Sequence, residues 1–291
     1  MITIRIGDTT IALTTNTPDM KLQVKGPTKH FLIDKGDPDI SITTAWKELS
    51  KVTRGEKLFD SGSVWHLCRE NGFFNFILTS SAFGSIPYKV ARIGKDFTWG
   101  EVLFHAPYFN TDRPVYPLEY PLDELLLINY LAQGRGVDIH SCGLIDSSGQ
   151  GHLFVGQSGA GKTTMARLWQ DNPNVTILSD DRIVLRQLNG KIWMYGTPWH
   201  GEAMLSSPAR SPLSRVYFLS RGPNNELVPM KASEGAARLF ACIFPTFYNQ
   251  KGLEFILGFL GELVKDIPCY ELRFIPDKGV VEYIEGLRYQ D

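Results

Sequence analysis

Gly156-Gln157-Ser158-Gly159-Ala160-Gly161-Lys162-Thr163 decides the reading of this 291-residue chain. It fits G-x-x-x-x-G-K-[ST], the pattern of a phosphate-binding loop. Glycines let successive backbone N–H groups turn toward one anion, where side chains would block the approach. Gly156, Ser158, Gly159, Ala160 and Gly161 are the expected cradle, Lys162 the charge at the outer phosphates, and Thr163 a hydroxyl for Mg²⁺, with Thr164 carrying the binding segment into a helix. The flanks agree with the motif. His152 to Val155 is a short apolar run that reads as a buried strand. Thr164 to Trp169 reads as a helix, so the positive end of its dipole faces the anion.

A phosphate loop alone defines no reaction. An acid at a strand end is needed to hold a metal ion or to activate a nucleophile. Ile177-Leu178-Ser179-Asp180-Asp181 supplies two adjacent carboxylates about twenty residues after Lys162. Neighbouring strand residues point to opposite sides, so Asp180 and Asp181 are expected to do different jobs. Residue types alone do not say which is which, and an ordinary solvated Asp-Asp turn is the plainer alternative. His140, in Asp138-Ile139-His140-Ser141-Cys142-Gly143, is a third candidate, its alternative being a core histidine. The turn-rich Tyr195-Gly196-Thr197-Pro198-Trp199-His200-Gly201-Glu202 adds Glu202 as a further metal ligand, with Trp199 or His200 lining a substrate pocket, unless this is simply a rigid turn over the sheet.

Composition narrows the class. Formal net charge is −1, without a long basic run, which argues against nucleic acid as partner. No apolar stretch reaches membrane-spanning length, and Leu253 to Val264 reads as a core helix. The first residues alternate like a strand and lack the plan of a signal peptide. Cys68, Cys142, Cys242 and Cys269 form no C-x-x-C pair, so neither a zinc site nor a disulfide framework is expected, and a reducing cytoplasm is the expected compartment.

Two domains are expected, residues 1–112 and 113–291, divided in the Pro-, Asp- and Tyr-rich Asn110 to Pro121. The first reads as mainly β. Ile2 to Leu13 alternates, and Asp39 to Thr44, Ser63 to Leu67, Phe73 to Leu78 and Tyr88 to Ile93 are further strands, with Asn71-Gly72 as a hairpin turn. The second opens with a helix, Asp123 to Gln133, and then mixes strands and helices. Its strands are Val137 to Leu144, His152 to Val155, Thr176 to Ser179, Ile183 to Leu188, Lys191 to Tyr195, Val216 to Leu219 and Tyr270 to Phe274. Its later helices are Ser233 to Phe244, Gly252 to Val264 and Gly279 to Leu287.

The order His140, glycine-rich loop, Ser179-Asp180-Asp181 resembles HPr kinase/phosphorylase and the nucleotide domain of ATP-dependent phosphoenolpyruvate carboxykinase, over roughly residues 137–219. GTPWHGE, YPLDELL near Tyr120 and FIPD near Phe274 look like a bacterial HPr-kinase-like subgroup. The resemblance implies a strand-rich α/β fold with an HPr kinase/carboxykinase-like P-loop domain behind a mainly β N-terminal domain. It implies ATP and Mg²⁺ as cofactors, and phosphoryl transfer to a hydroxyl, serine first, of a small protein, peptide or metabolite. In that scheme Lys162 grips the outer phosphates, Thr163 and one of Asp180 and Asp181 bind Mg²⁺, the other aspartate takes the acceptor's proton, His140 stands beside them and Glu202 matches a following acid. A homo-oligomer is implied as well. The signature E-I-R-G-L-G-I-I-N is replaced by Pro198-Trp199-His200-Gly201-Glu202-Ala203, and no P-G-R-N segment follows, so HPr itself and phosphorolysis are not implied. A nucleotide-binding module without turnover and a small carboxykinase-like enzyme are the alternatives.

Overall fold

The structure, a computed structural model, describes residues 1–50 and 55–287. The protein is α/β and strand-rich. It folds into two compact units: Met1–Arg5 with Thr9–Tyr130, and Ile6–Asp8 with Leu131–Asp291.

The first unit is built on an eight-stranded sheet. Its strands are β1 (Ile2–Ile6), β2 (Thr9–Thr15), β3 (Ile40–Lys47), β4 (Glu56–Asp60), β5 (Trp65–Glu70), β6 (Phe73–Leu78), β7 (Lys89–Gly94) and β8 (Trp99–His105), in the order β1-β2-β3-β8-β7-β6-β5-β4. Asn71-Gly72 makes the β5–β6 hairpin as expected. Two strands go unread in the sequence. Glu56–Asp60 is almost wholly exposed and buries no alternating face, and Trp99–His105 carries Gly100 and Glu101 inside it. The boundary between the units falls at Tyr130/Leu131, near the end of the helix α1 (Leu122–Leu131) that was expected to open the second domain. The reason is local bonding: Val115 N–H donates to the Lys21 carbonyl and Tyr130 Oη to Asp39.

The second unit holds eight strands: β9 (Val137–Ile145), β10 (Gly151–Val155), β11 (Thr176–Ser179), β12 (Arg182–Leu188), β13 (Lys191–Gly196), β14 (Arg210–Arg221), β15 (Glu226–Pro229) and β16 (Cys269–Phe274). The order is β10-β9-β12-β13-β14-β16-β15, β10 also pairs with β14, and β11 pairs with β9. The pairings among β10, β9, β12, β13 and β14 therefore close on themselves. Helices are α2 (Lys162–Trp169), α3 (Ala232–Phe240), α4 (Gln250–Asp266) and α5 (Gly279–Gly286). Both faces of β10 are buried, which explains its unbroken apolar run. Leu153 and Val155 pack in one core with Leu239 of α3 and Phe259, Leu260 and Leu263 of α4. Phe154 packs in the other with Met165 and Trp169 of α2 and Ile284 of α5.

The turn into β10 is held by a buried chain. Tyr217 Oη lies 3.3 Å from His152 Nδ1, His152 Nε2 lies 2.8 Å from Asp146 Oδ2, and the other Asp146 oxygen accepts from Ser148 and Gln150 amides. Burial raises the Asp146 pKa, but the bonds from His152 and Ser148 outweigh it and the carboxyl ends far below its ordinary value. All four cysteines are buried and free. Among the described residues no helix is long and apolar enough to cross a membrane.

Lys89, in the first unit, is fully buried, with its ammonium 3.4 Å from the Pro117 carbonyl. Burial pushes its pKa from 10.5 down to about 8, against the raising influence of Glu119 and Asp123. Between these two values the unfolded chain binds more protons, so this group's contribution makes stability rise with pH across that window. Lys89→Met should therefore be more stable than the wild type by about 1–3 kcal/mol at pH 7, and the gain should shrink toward pH 10. Urea unfolding at both pH values checks this, and a Met variant equally destabilised at both would contradict it.

Candidate functional site

The glycine-rich loop leaves the end of β10 and enters α2. Gly161 sits at φ 111°, a left-handed conformation, and a Cβ there would lie 2.8 Å from the Phe274 ring. Both facts require glycine. Lys162, the first residue of α2, is buried and turns back over the loop, where Nζ donates to the carbonyls of Gly156 (2.6 Å) and Gln157 (3.1 Å). Burial lowers its pKa, while Cys242 and Asp181 nearby work the other way. Thr163 and Thr164 are half-buried in the first turn. The cavity beside Gly156 to Ala160 has a volume of about 440 Å³.

The two aspartates follow β11 and have unlike surroundings. Asp180 is 1% exposed, and its carboxylate accepts backbone N–H groups from Gly201 (2.9 Å), Ala203 (3.0 Å) and Leu205 (3.4 Å). It pins the loop that carries Glu202. A Cβ on Gly201 would stand 2.8 Å from Asp180 Oδ2, so any larger residue there would push on that carboxylate. Ser179 braces the same turn, its Oγ donating to the Trp199 carbonyl and accepting from the amides of Asp181 and Arg182.

Asp181 faces a different group. Its Oδ1 is 3.1 Å from His140 Nδ1, and its Oδ2 accepts from Arg182 Nη1. His140 Nδ1 is also 2.8 Å from Arg182 Nη1. That nitrogen donates to Asp181 or accepts from Arg182, never both at once. Burial raises the Asp181 pKa, but His140 and the charges of Arg182 and Lys162 outweigh it and the carboxyl lies below its ordinary 3.8. The Arg182 guanidinium stacks on Phe244, 4.2 Å from the ring centre, and the His140 ring meets Phe244 edge-on at 6.4 Å.

Arg182 and Phe244 escape the sequence reading. The segment expected as one helix to Phe244 stops at Phe240. The Cys242 carbonyl instead accepts from His140 N–H at 2.8 Å, and Ile243 bridges to Ile139 on β9. The signal for this was Pro245, which biases Phe244 away from helix.

Of the sequence candidates, the structure brings Asp181 and His140 together and sets Lys162 close enough for its charge to act on Asp181. It does not gather Asp180, Asp181 and Glu202 into one metal shell. The oxygens of Asp180 are taken by amides, and Glu202 is exposed, its carbonyl accepting from Arg167 at 3.5 Å. Among the described residues no three His, Cys, Asp or Glu side chains lie together as a metal cage. Trp199 is buried, and His200 Nδ1 bonds to the Gly201 carbonyl.

No family model matches the chain, and no curated protein matches it in sequence. Among solved structures, the HPr(Ser) kinase/phosphatase from Coxiella burnetii is similar at 12% identity, over 53% of this chain and 97% of that one, with a TM-score of 0.33.

The unlike surroundings separate two variants. Asp180→Asn should cost stability, about 1–3 kcal/mol, since an amide nitrogen then faces backbone N–H donors. Asp181→Asn should cost less, because a quarter of its side chain meets solvent and the amide oxygen can still accept from Arg182. Thermal melts of both check this, and the reverse ranking would contradict the assignment.

Proposed function

We propose that the protein is an ATP- and Mg²⁺-dependent phosphotransferase acting on a hydroxyl, serine first, of a small protein, peptide or metabolite. The observation that carries the reading is the strand–loop–helix unit Gly151–Trp169, with Lys162 poised over its own loop and Asp181 and His140 at its side. Phosphoryl transfer asks mainly for positioning and charge neutralisation, and little covalent help from the protein. Backbone N–H groups of Gly156 to Gly161 would hold the phosphates, and Lys162 would exchange its carbonyl partners for phosphate oxygens. Asp181 would accept the acceptor's proton or hold the metal, with His140 orienting it.

The residues present fit Mg²⁺. This ion keeps several waters and takes one or two carboxylates plus phosphate oxygens, so a site without an all-protein cage suits it. Thr163 and Asp181 are the groups that would hold it, and when bound it neutralises charge on the outer phosphates. Asp180 acts one step back, by fixing the Gly201–Leu205 loop.

One observation favours the non-catalytic reading. Asp181 is already engaged by Arg182 and His140, as in a binder that never uses the acid. Turnover separates the two. Mg-ATP at 100 times its Kd should stabilise the wild type by about 2.7 kcal/mol, and Lys162→Ala should lose most of that. Transfer of γ-phosphate to serine-bearing acceptors should be seen with the wild type and vanish in Asp181→Asn. Binding without transfer to any acceptor would leave the module reading, and no binding of ATP, GTP or pyrophosphate would overturn both.

A further inference from the structure

We infer that Arg238, on α3, is a second cation of the phosphate site and contacts the phosphates of the bound nucleotide. The inference rests on the reading of the loop as a nucleoside-triphosphate site. The cavity of about 440 Å³ is lined by Gly156 to Ala160 together with Phe218, Arg238, Ala241 and Cys242. Arg238 is the cation in its lining; Lys162, by contrast, is turned onto the loop carbonyls.

Its restraints suit a group that changes partner. The side chain is 42% exposed and bonded at 2.9 Å to Glu234, one turn earlier on the same helix. An exposed i,i+4 pair is weak and easily exchanged. The guanidinium carbon stands 5.8 Å from the centre of the ring of Phe218, which also lines the cavity. A triphosphate brings more negative charge than one lysine balances. A planar guanidinium fork matches two phosphate oxygens at once, which an ammonium does not. Because α3 holds Leu239 in the core beside Val155, the helix keeps Arg238 in register with the loop.

The test compares wild type, Arg238→Ala, Arg238→Lys and Glu234→Gln by calorimetric titration with Mg-ATP and with Mg-pyrophosphate, and by melting without ligand. Arg238→Ala should weaken both ligands by roughly tenfold or more at an unchanged melting temperature. Arg238→Lys should recover part of the loss, and Glu234→Gln should bind as well as the wild type or tighter. Wild-type affinity in Arg238→Ala would overturn the inference while leaving the phosphate loop intact. Loss for Mg-ATP but not for pyrophosphate would overturn it by moving the contact to the nucleoside, and loss only together with a fallen melting temperature would make Arg238 structural. A wild type that binds neither ligand would overturn this inference and the nucleotide reading together.

Discussion

The strand Gly151–Val155 is hydrogen-bonded on both flanks, antiparallel to β9 and parallel to β14, and the place of the glycine-rich loop follows from that double pairing. A strand paired on one side can slip by a residue and turn its faces over. Here a slip would carry Phe154 out of the core around Trp169 and put Leu153 and Val155 against the wrong helices. Gly156 therefore begins where the ladder ends. The same β9 that fixes β10 also pairs with β11 and β12, so His140, the end of β11 and the loop are tied to a single strand. His140 and Arg182 are register partners in that ladder, which is why their side chains meet beside Asp181.

Asp180 and Asp181 form the bend between β11 and β12, and their side chains meet different surroundings. Asp180 goes inward and finds the amides of Gly201, Ala203 and Leu205. The loop is itself partly exposed, so the bonds serve mainly to satisfy the buried carboxylate and to hold the loop against it. Asp181 goes toward His140 and Arg182, where a quarter of its side chain still meets solvent. One acid thus holds the loop and the other stays partly open to solvent. The division needs no special fold, only a tight turn, which Ser179 Oγ also braces.

What could be read in the sequence was local. The glycine-rich loop carries its own geometry. Asn71-Gly72 and Asn189-Gly190 make the two hairpins for the same reason, since turn chemistry acts within a few residues. Strands buried on both faces, such as Gly151–Val155, show as apolar runs. The misses lie where the deciding contact is distant or the pattern is weak. Glu226–Pro229 is a four-residue strand with no fully buried residue, and nothing in its residues marks it. Phe244 was read as helix because the apolar spacing runs through it, whereas its place is set by bonds to β9 more than a hundred residues earlier. The inward turn of Asp180 depends on strand register, which residue types do not reveal.

The charges of the site are already compensated without a ligand, and that shapes what binding costs. A buried ammonium without acceptors is expensive, so Lys162 lies on the Gly156 and Gln157 carbonyls. A half-buried carboxylate is likewise met by Arg182 and His140. An anion entering the loop must displace the first set of bonds, and a metal ion or acceptor reaching Asp181 must compete with the second. Only the difference between old and new partners appears as affinity. The loop carbonyls are neutral acceptors and a phosphate is charged, so exchange at Lys162 runs toward the ligand. Arg182 is itself charged and stacked on Phe244, so exchange at Asp181 is much closer to balance. On the proposed reading two steps would be separate: capture of phosphate, driven by the first exchange, and release of Asp181, for which the arriving groups would have to supply the charge that Arg182 now supplies.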